Sequence, residues 1–329
     1  MSSVNIILCF FVFLVCLFST VFLEKRLIPF LQSRAKQPIY EGGPSWHASK
    51  SGTPTMGGVA FVCSITIALF VVGICILSTT QHQKIAISLL ISLIFAVGNA
   101  LIGFCDDLTK ILRNKNAGLT PWQKLMFQAL LSILFLMARA YFLKDSTEIA
   151  FPFGKINLGP FYYPLAITLL LGIINCANLT DGIDGLATSV AWLIGGIFAI
   201  LSLATLSEST ILSFALMGGT IGFLFYNVHP AKIFMGDTGS LFLGAMTVSI
   251  AFTFDNPFII LLIGGVYVIE GASVILQVLS FKLFKRRILR MAPLHHHLEQ
   301  IGYKENTICM LAVIVTLILS VPAILFFNM

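Results

Sequence analysis

Charge is what this chain has least of. Only 10% of its 329 residues are Asp, Glu, Lys or Arg, against 57% hydrophobic ones. A soluble domain carries about 25% charged residues, so a water-soluble fold could not cover its own surface with this composition. Lipid must be the solvent for most of the chain. Metal-binding cysteine patterns are lacking too. Cys9, Cys16, Cys63, Cys75, Cys105, Cys176 and Cys309 form no CxxC pair and fall mostly in apolar runs, which argues against a zinc centre or a disulfide framework. No Lys or Arg precedes the first apolar run, Val4 to Phe22, whereas Glu24, Lys25 and Arg26 follow it. That polarity is opposite to a signal peptide and predicts a retained first span with its N-terminus outside. There is no GxxxxGK[ST] loop, hence no P-loop nucleotide site. Internal repeats and low-complexity linkers are also missing, so residues 1–329 read as a single integral membrane domain.

What is there is a series of apolar runs. A spanning helix takes about 20 predominantly apolar residues. Ten candidates lie near 4–22, 59–77, 85–104, 124–143, 161–177, 187–206, 210–226, 241–254, 258–281 and 308–327. The expected fold is all-α and polytopic, with both termini on one side. The eighth run is short. The ninth contains Gly264, Gly265, Glu270 and Gly271, and is expected to be tilted or broken. The loops 23–58, 105–124, 178–186, 227–240 and 282–307 hold 16 of the 20 basic residues, the exceptions being Lys84, Arg139, Lys144 and Lys155. The positive-inside rule makes those loops cytoplasmic and both termini periplasmic. The net charge of +6 therefore reads as topology, not as nucleic-acid binding. On the other side the one sizeable loop, about 144–160, predicts a small hairpin around Pro152, Phe153 and Gly154.

Nearly every unusual polar motif falls on the basic side. They are HASKSGTPTMGG at 47–58, DDLTK at 106–110, NLTDGIDG at 178–185, NVHPAKIFMGDTGS at 227–240 and APLHHHLE at 292–299. Asp106 and Asp107 are adjacent carboxylates at a membrane mouth. Either they bind a metal, one takes up a proton, or they form a solvated helix end. Asp181 and Asp184, spaced i, i+3 between glycines, suit either a capping turn or a ligand face. Asp237 sits between Gly236 and Gly239 at a helix start, where it could cap the helix or hold a metal that bridges phosphates. His295, His296 and His297 are consecutive, about 100° apart on a helix, so at most one or two of them should face a site. Lys50, Lys110 and Lys124 lie beside motifs and suit phosphate. Lys285, Arg286, Arg287 and Arg290 suit topology and anionic lipid.

Together these motifs resemble the phospho-N-acetylmuramoyl-pentapeptide transferase family, a branch of the polyprenyl-phosphate N-acetylhexosamine-1-phosphate transferases. DD, NxxDGxDGL and MGDTGS are similar to the superfamily, and TPTMGG and PLHHHLE to the muramoyl-pentapeptide branch. The resemblance implies a Mg2+-dependent enzyme of the bacterial inner membrane with its active site on the cytoplasmic face. It would transfer phospho-MurNAc-pentapeptide from UDP-MurNAc-pentapeptide to undecaprenyl phosphate, releasing UMP and forming lipid I for peptidoglycan synthesis, and so would serve cell shape and division. It further implies a homodimer.

By the same resemblance Asp106, Asp107 and His295 would be catalytic and Asp237 the metal ligand. Lys50, Thr55, Lys110, Lys124, Asn175, Asn178, Asp181, Asp184, Asn227, Phe234, Gln277 and His296 would contact substrate. One departure is that Lys50 stands alone between Ser49 and Ser51, where the family often has consecutive basic residues. Two mechanisms stay open: direct attack by the lipid phosphate after an Asp removes its proton, or a phospho-enzyme on an Asp. The rival readings are a sister enzyme using UDP-GlcNAc and a secondary transporter, whose interior charges would be Arg139 and Glu270.

Overall fold

The computed structural model describes residues 3–34, 50, 52–78, 82–113, 118–151, 153–203 and 207–327. In chain order the helices are α1 (Ser3–Arg34), α2 (Gly58–Leu77), α3 (Gln83–Arg113), α4 (Pro121–Ala138), α5 (Tyr162–Thr180), α6 (Leu186–Ser202), α7 (Glu208–Asn227), α8 (Gly236–Ala251), α9 (Ile260–Ile263), α10 (Gly265–Phe284), α11 (Leu294–Gln300) and α12 (Glu305–Phe327). The strands β1 (Glu148–Phe151) and β2 (Gly154–Asn157) form the expected hairpin. Pro152, at its turn, lies outside the described residues, as do positions 47–49 and 51 of the first polar motif.

The chain is an all-α polytopic membrane protein. Among the described residues eight helices are long and apolar enough to cross a bilayer, against the ten spans expected. The other two expected spans are α6, with 17 residues, and α8, with 16. At about 1.5 Å per residue each falls short of a core about 30 Å thick. The short α8 nevertheless has a clear place, because every residue from Thr238 to Ala251 is buried. It packs chiefly against α3 and α5, with α2, α6 and α7 around it. Protein, not lipid, surrounds it, so its length need not match the bilayer. Beyond its first turn its hydroxyls are satisfied inside the helix, Ser240 bonding the Gly236 carbonyl, Thr247 that of Gly244 and Ser249 that of Met246. Close approach depends on glycine: a methyl group at Gly103 of α3 would lie 2.2 Å from the Asp237 carbonyl oxygen.

The expected break in the ninth run is present. A 3-10 turn (Pro257–Ile259) leads into the four-residue α9, and Gly264 separates that from α10. At the same end of the bundle the hairpin is tied down by the Ala150 N–H to the Asp255 carbonyl, 3.2 Å, and by the Asn256 amide to the Ala150 carbonyl, 2.9 Å. Arg139 is buried here. It pairs with Asp145 at 2.6 Å and donates to the Phe252 carbonyl at the C-terminus of α8. A cation on the last carbonyls of a helix is favourably placed. This interior charge is thus occupied with closing the end of α8.

Candidate active site

The opposite end of α8 organises the polar motifs. Gly236 has φ +70, a left-handed conformation that turns the MGDTGS segment into the helix. A side chain there would also meet Asp107, with a Cβ only 2.5 Å from Oδ2. The reason lies in Asp107 itself. This buried carboxylate belongs to α3 but caps α8. Its Oδ1 accepts the backbone N–H of Asp237 at 3.1 Å, and its Oδ2 accepts the N–H and the hydroxyl of Thr238 at 2.9 and 2.7 Å. A negative charge at a helix N-terminus meets both the orphan N–H groups and the positive end of the helix dipole. Both oxygens of Asp107 are thereby committed.

Asp106 is placed differently. Its Oδ1 accepts the Leu119 N–H at 2.7 Å and lies 3.0 Å from Lys124 Nζ, while Lys110 Nζ is 2.6 Å from Oδ2. The same two lysines reach Asp237 Oδ2, Lys124 at 2.5 Å and Lys110 at 3.3 Å. The amide of Asn178 on α5 donates to Asp237 Oδ1 at 3.2 Å and to the Ser240 hydroxyl at 2.7 Å. Lys110 follows Asp106 by one helical turn, so the i, i+4 spacing in DDLTK puts both on one face of α3. Lys124 comes from the first turn of α4, whose start is set by a capping box of Thr120 and Gln123 with Pro121 at the first helical position. Thus α3, α4, α5 and α8 each contribute to one cluster of three carboxylates and two ammonium groups. Asp237 is the most open of the carboxylates, with its side chain 18% exposed against 0% and 4% for Asp106 and Asp107.

A second cluster gathers on the TDGIDG turn. Lys50 Nζ lies 2.6 Å from Asp184 Oδ1 and 2.7 Å from Glu305 Oε2. Glu305 also accepts the Asp184 N–H at 2.8 Å, and His229 Nδ1 lies 2.8 Å from Asp184 Oδ2. Burial raises the pKa of Asp184, but the Lys50 ammonium, the Ala231 N–H and His229 outweigh it and hold the group below the usual carboxylate range. Asp181 is in the reverse position. Burial, then the charges of Asp237, Asp107 and Asp184, push it up to about 8. It lies between the two clusters electrostatically and has no lysine on its oxygens among the described hydrogen bonds.

The three histidines diverge as helical geometry requires. His295 is fully buried on α11, with Nδ1 3.1 Å from Glu270 Oε2 and its backbone N–H 3.3 Å from the same oxygen. Its Nε2 faces the TDGIDG turn: a Cβ on Gly182 would sit 2.1 Å from it. His296 pairs with Glu299 at 2.7 Å, and its ring packs edge-on against that of His295. His297 turns away and accepts the Arg290 N–H.

The five polar motifs therefore meet at one end of the bundle, but not every candidate residue reaches the carboxylates. Asn175 bonds Gln128 at 2.9 Å, one turn deeper in the helices. Asn227 is buried, accepting from Gly185 N–H and the Thr188 hydroxyl and donating to the Ile233 carbonyl, so it joins two loops beneath the site. Gln277 holds the loop after α10 through Ile288 and Leu289. Phe234 is half-buried, with its N–H on the Pro54 carbonyl. Thr55 is buried, its hydroxyl beside Gly236. Sequence reasoning missed His229, Glu305, Thr238 and Gln128 as site residues, and it met Glu270 only as an interior charge.

The donor set fits a hard divalent cation. Asp106, Asp107 and Asp237 each offer an oxygen within 4.8 Å of the others, and Mg2+ takes such oxygens from one or two carboxylates plus substrate phosphates. Two lysines beside them can offset further anionic charge. The arrangement suits chemistry on phosphate groups at the mouth of a membrane bundle.

Comparison with known proteins agrees. Residues 86–255 match the family described as glycosyl transferase family 4, and residues 50–62 match signature 1 of the phospho-N-acetylmuramoyl-pentapeptide-transferases. The phospho-N-acetylmuramoyl-pentapeptide-transferase of Clostridium botulinum (strain Alaska E43 / Type E3) is 43% identical over 87% of this chain and 86% of its own. That of Bacillus subtilis (strain 168) is 42% identical over 87% of each chain. That of Clostridium perfringens (strain SM101 / Type A) is 44% identical over 89% of this chain and 88% of its own.

Proposed function

The chain belongs to the phospho-N-acetylmuramoyl-pentapeptide-transferase family, and on that footing we propose that it transfers phospho-MurNAc-pentapeptide from UDP-MurNAc-pentapeptide to undecaprenyl phosphate. The observation that carries this is the meeting of Asp106, Asp107, Asp237, Lys110 and Lys124 at the N-terminus of α8. Both substrates are anionic, and one is anchored in lipid. An oxygen of the lipid phosphate attacks the phosphorus that carries MurNAc. The bond from that phosphorus to the oxygen of UMP breaks, UMP leaves with the electron pair, and lipid I is the product.

Asp237, with Asp106 and Asp107 beside it, would hold Mg2+, which when bound offsets the charge on the reacting phosphates. Lys110 and Lys124, each shared between Asp106 and Asp237, swing to phosphate oxygens as the substrates arrive. Asp106 takes the proton of the lipid phosphate, because its Oδ2 is held only by Lys110 and is freed when that lysine moves to the phosphates, whereas both oxygens of Asp107 stay on α8. Asp107 positions Asp237. Lys50, Asp184, Asp181, Thr55 and His296 contact the nucleotide-sugar, and His295 faces the reacting phosphates. Direct attack is favoured over a phospho-enzyme because the lipid phosphate is already a nucleophile.

The reading includes one integral domain with ten crossings, α6 and α8 among them, and with the site on the cytoplasmic face of the bacterial inner membrane. The gathering of the basic loops at the Asp237 end of α8 supports that side. A homodimer completes it, on family membership alone, and native mass spectrometry in detergent tests it. The deciding assay for function is radiolabel transfer from UDP-MurNAc-pentapeptide to undecaprenyl phosphate, with and without Mg2+ and with UDP-GlcNAc as the competing donor. Transfer from UDP-GlcNAc alone, transfer unaffected by chelator, or a labelled Asp trapped without lipid would each overturn the corresponding part.

A further inference from the structure

His295 lies at the junction of α10, α11 and the TDGIDG turn with no exposed surface. The backbone N–H and ring Nδ1 of this one residue converge on a single carboxylate oxygen, Glu270 Oε2, at 3.3 and 3.1 Å. Glu270 is 4% exposed, in the middle of a helix otherwise facing lipid for much of its length. A charged residue there is costly unless it is committed to a partner. The other ring nitrogen, Nε2, is buried and has no hydrogen-bond partner among the described residues. It points at Gly182, where even a methyl group would come within 2.1 Å. Leaving a buried ring nitrogen unpartnered is costly, and a ligand group arriving over the turn would remove that cost.

From this geometry we infer that Glu270 is a positioning residue for the transfer reaction, holding His295 as the Nδ1–H tautomer so that the Nε2 lone pair faces the reacting phosphates. A carboxylate only accepts, so the nitrogen beside it carries the hydrogen and the far nitrogen does not. The backbone N–H on the same oxygen prevents the carboxylate from rotating away. In that state Nε2 offers a hydrogen-bond acceptor to the hydroxyl of the lipid phosphate, orienting it while Asp106 takes its proton. The inference rests on the catalytic reading of His295 given above, but the tautomer can be measured without turnover.

The test uses the full-length protein labelled with 15N-histidine. His295→Asn identifies the His295 ring signals by their loss. The wild-type ring is expected to show Nδ1–H and an unprotonated Nε2. Glu270→Gln should preserve this, because the backbone N–H of His295 requires the amide oxygen, not its NH2, at the Oε2 position. With the ring held in place, the change only turns charge-assisted bonds into neutral ones, so kcat should remain within about tenfold of wild type. Glu270→Leu removes the acceptor but stays compatible with a lipid-facing helix. It should let the tautomer equilibrate and lower kcat about 100-fold or more, with KM for the nucleotide-sugar changed less than about threefold. A wild-type ring protonated at Nε2 instead would overturn the inference, as would a Glu270→Leu protein with the wild-type tautomer and kcat. Failure of the catalytic reading is a separate result: near-normal turnover by His295→Asn would remove it, while the tautomer of the wild-type ring would still decide whether Glu270 positions His295.

Discussion

Replacing Asp107 by Asn separates a positioning carboxylate from a reacting one. The two side chains have the same shape, so the change is confined to charge and donors. With its oxygen at the Oδ2 position, Asn keeps the Thr238 N–H and hydroxyl but turns its NH2 towards the Asp237 N–H, which now faces a donor at 3.1 Å. That buried N–H costs about 1–3 kcal/mol, and the two surviving bonds fall from the charge-assisted range to the neutral one, losing about 1 kcal/mol each. Relief of repulsion from Asp106 and Asp237 offsets part of this, leaving a net loss of about 3 kcal/mol. For a chain of this size the thermal midpoint in detergent should fall by roughly 5 °C. Asp237 should shift with the first turn of α8, and a displacement of about 1 Å costs about 100-fold in kcat.

Asp106→Asn is the control. Its amide can keep the Leu119 N–H through its oxygen, and although its NH2 then faces Lys110, that lysine is partly exposed and can move aside, with Asp237 still beside both lysines. Activity should therefore collapse while the midpoint falls much less. Thermal unfolding and radiolabel transfer on both variants decide the matter. If Asp107→Asn keeps the wild-type midpoint, or if Asp106→Asn is the less stable of the two, the capping role is refuted.

Lys124→Met removes a cation that shares Asp106 and Asp237 with any bound metal. The Mg2+ concentration for half-maximal activity should fall while kcat drops about 100-fold or more; a rise in the Mg2+ requirement would contradict that competition. Asp181, pushed to about 8, keeps its proton in the fold long after the unfolded chain has released it. Its stabilising contribution is full below about pH 3.9 and is lost as pH rises through the folded value, so stability falls over that window. Asp181→Asn should flatten the decline in thermal midpoint between pH 5 and 8 without divalent cation, and an unchanged slope would count against the burial argument. Gly182→Ala should reduce kcat about 100-fold by displacing the His295 ring, with the Glu270 contact retained in the 15N spectrum; a fully active Ala variant would mean that Nε2 does not face the reacting groups.

The apolar runs made the helical bundle legible, and loop charge supplied a side for the polar motifs. Both signals are local sums over many residues, so an error of a few positions does not disturb them. Asp106, Lys110, Lys124, Asn178 and Asp237 could be picked out because each lies in or beside a short motif at a helix end. What could not be read was how a carboxylate is used. Asp106 and Asp107 are adjacent in sequence, yet about 100° of helix rotation sends one to the lysines and the other to the start of α8. Asn227 and Gln277 are assigned to the substrate by the resemblance alone, and that their amides also close loops is something only the folded backbone reveals. Glu270 escaped for the opposite reason. It stands in an apolar run with no neighbouring motif, and its partner His295 is 25 residues away. A carboxylate inside a span must have a partner within the bundle. The sequence offers several donors of suitable type for that role, and the fold selects among them by bringing α11 back over α10.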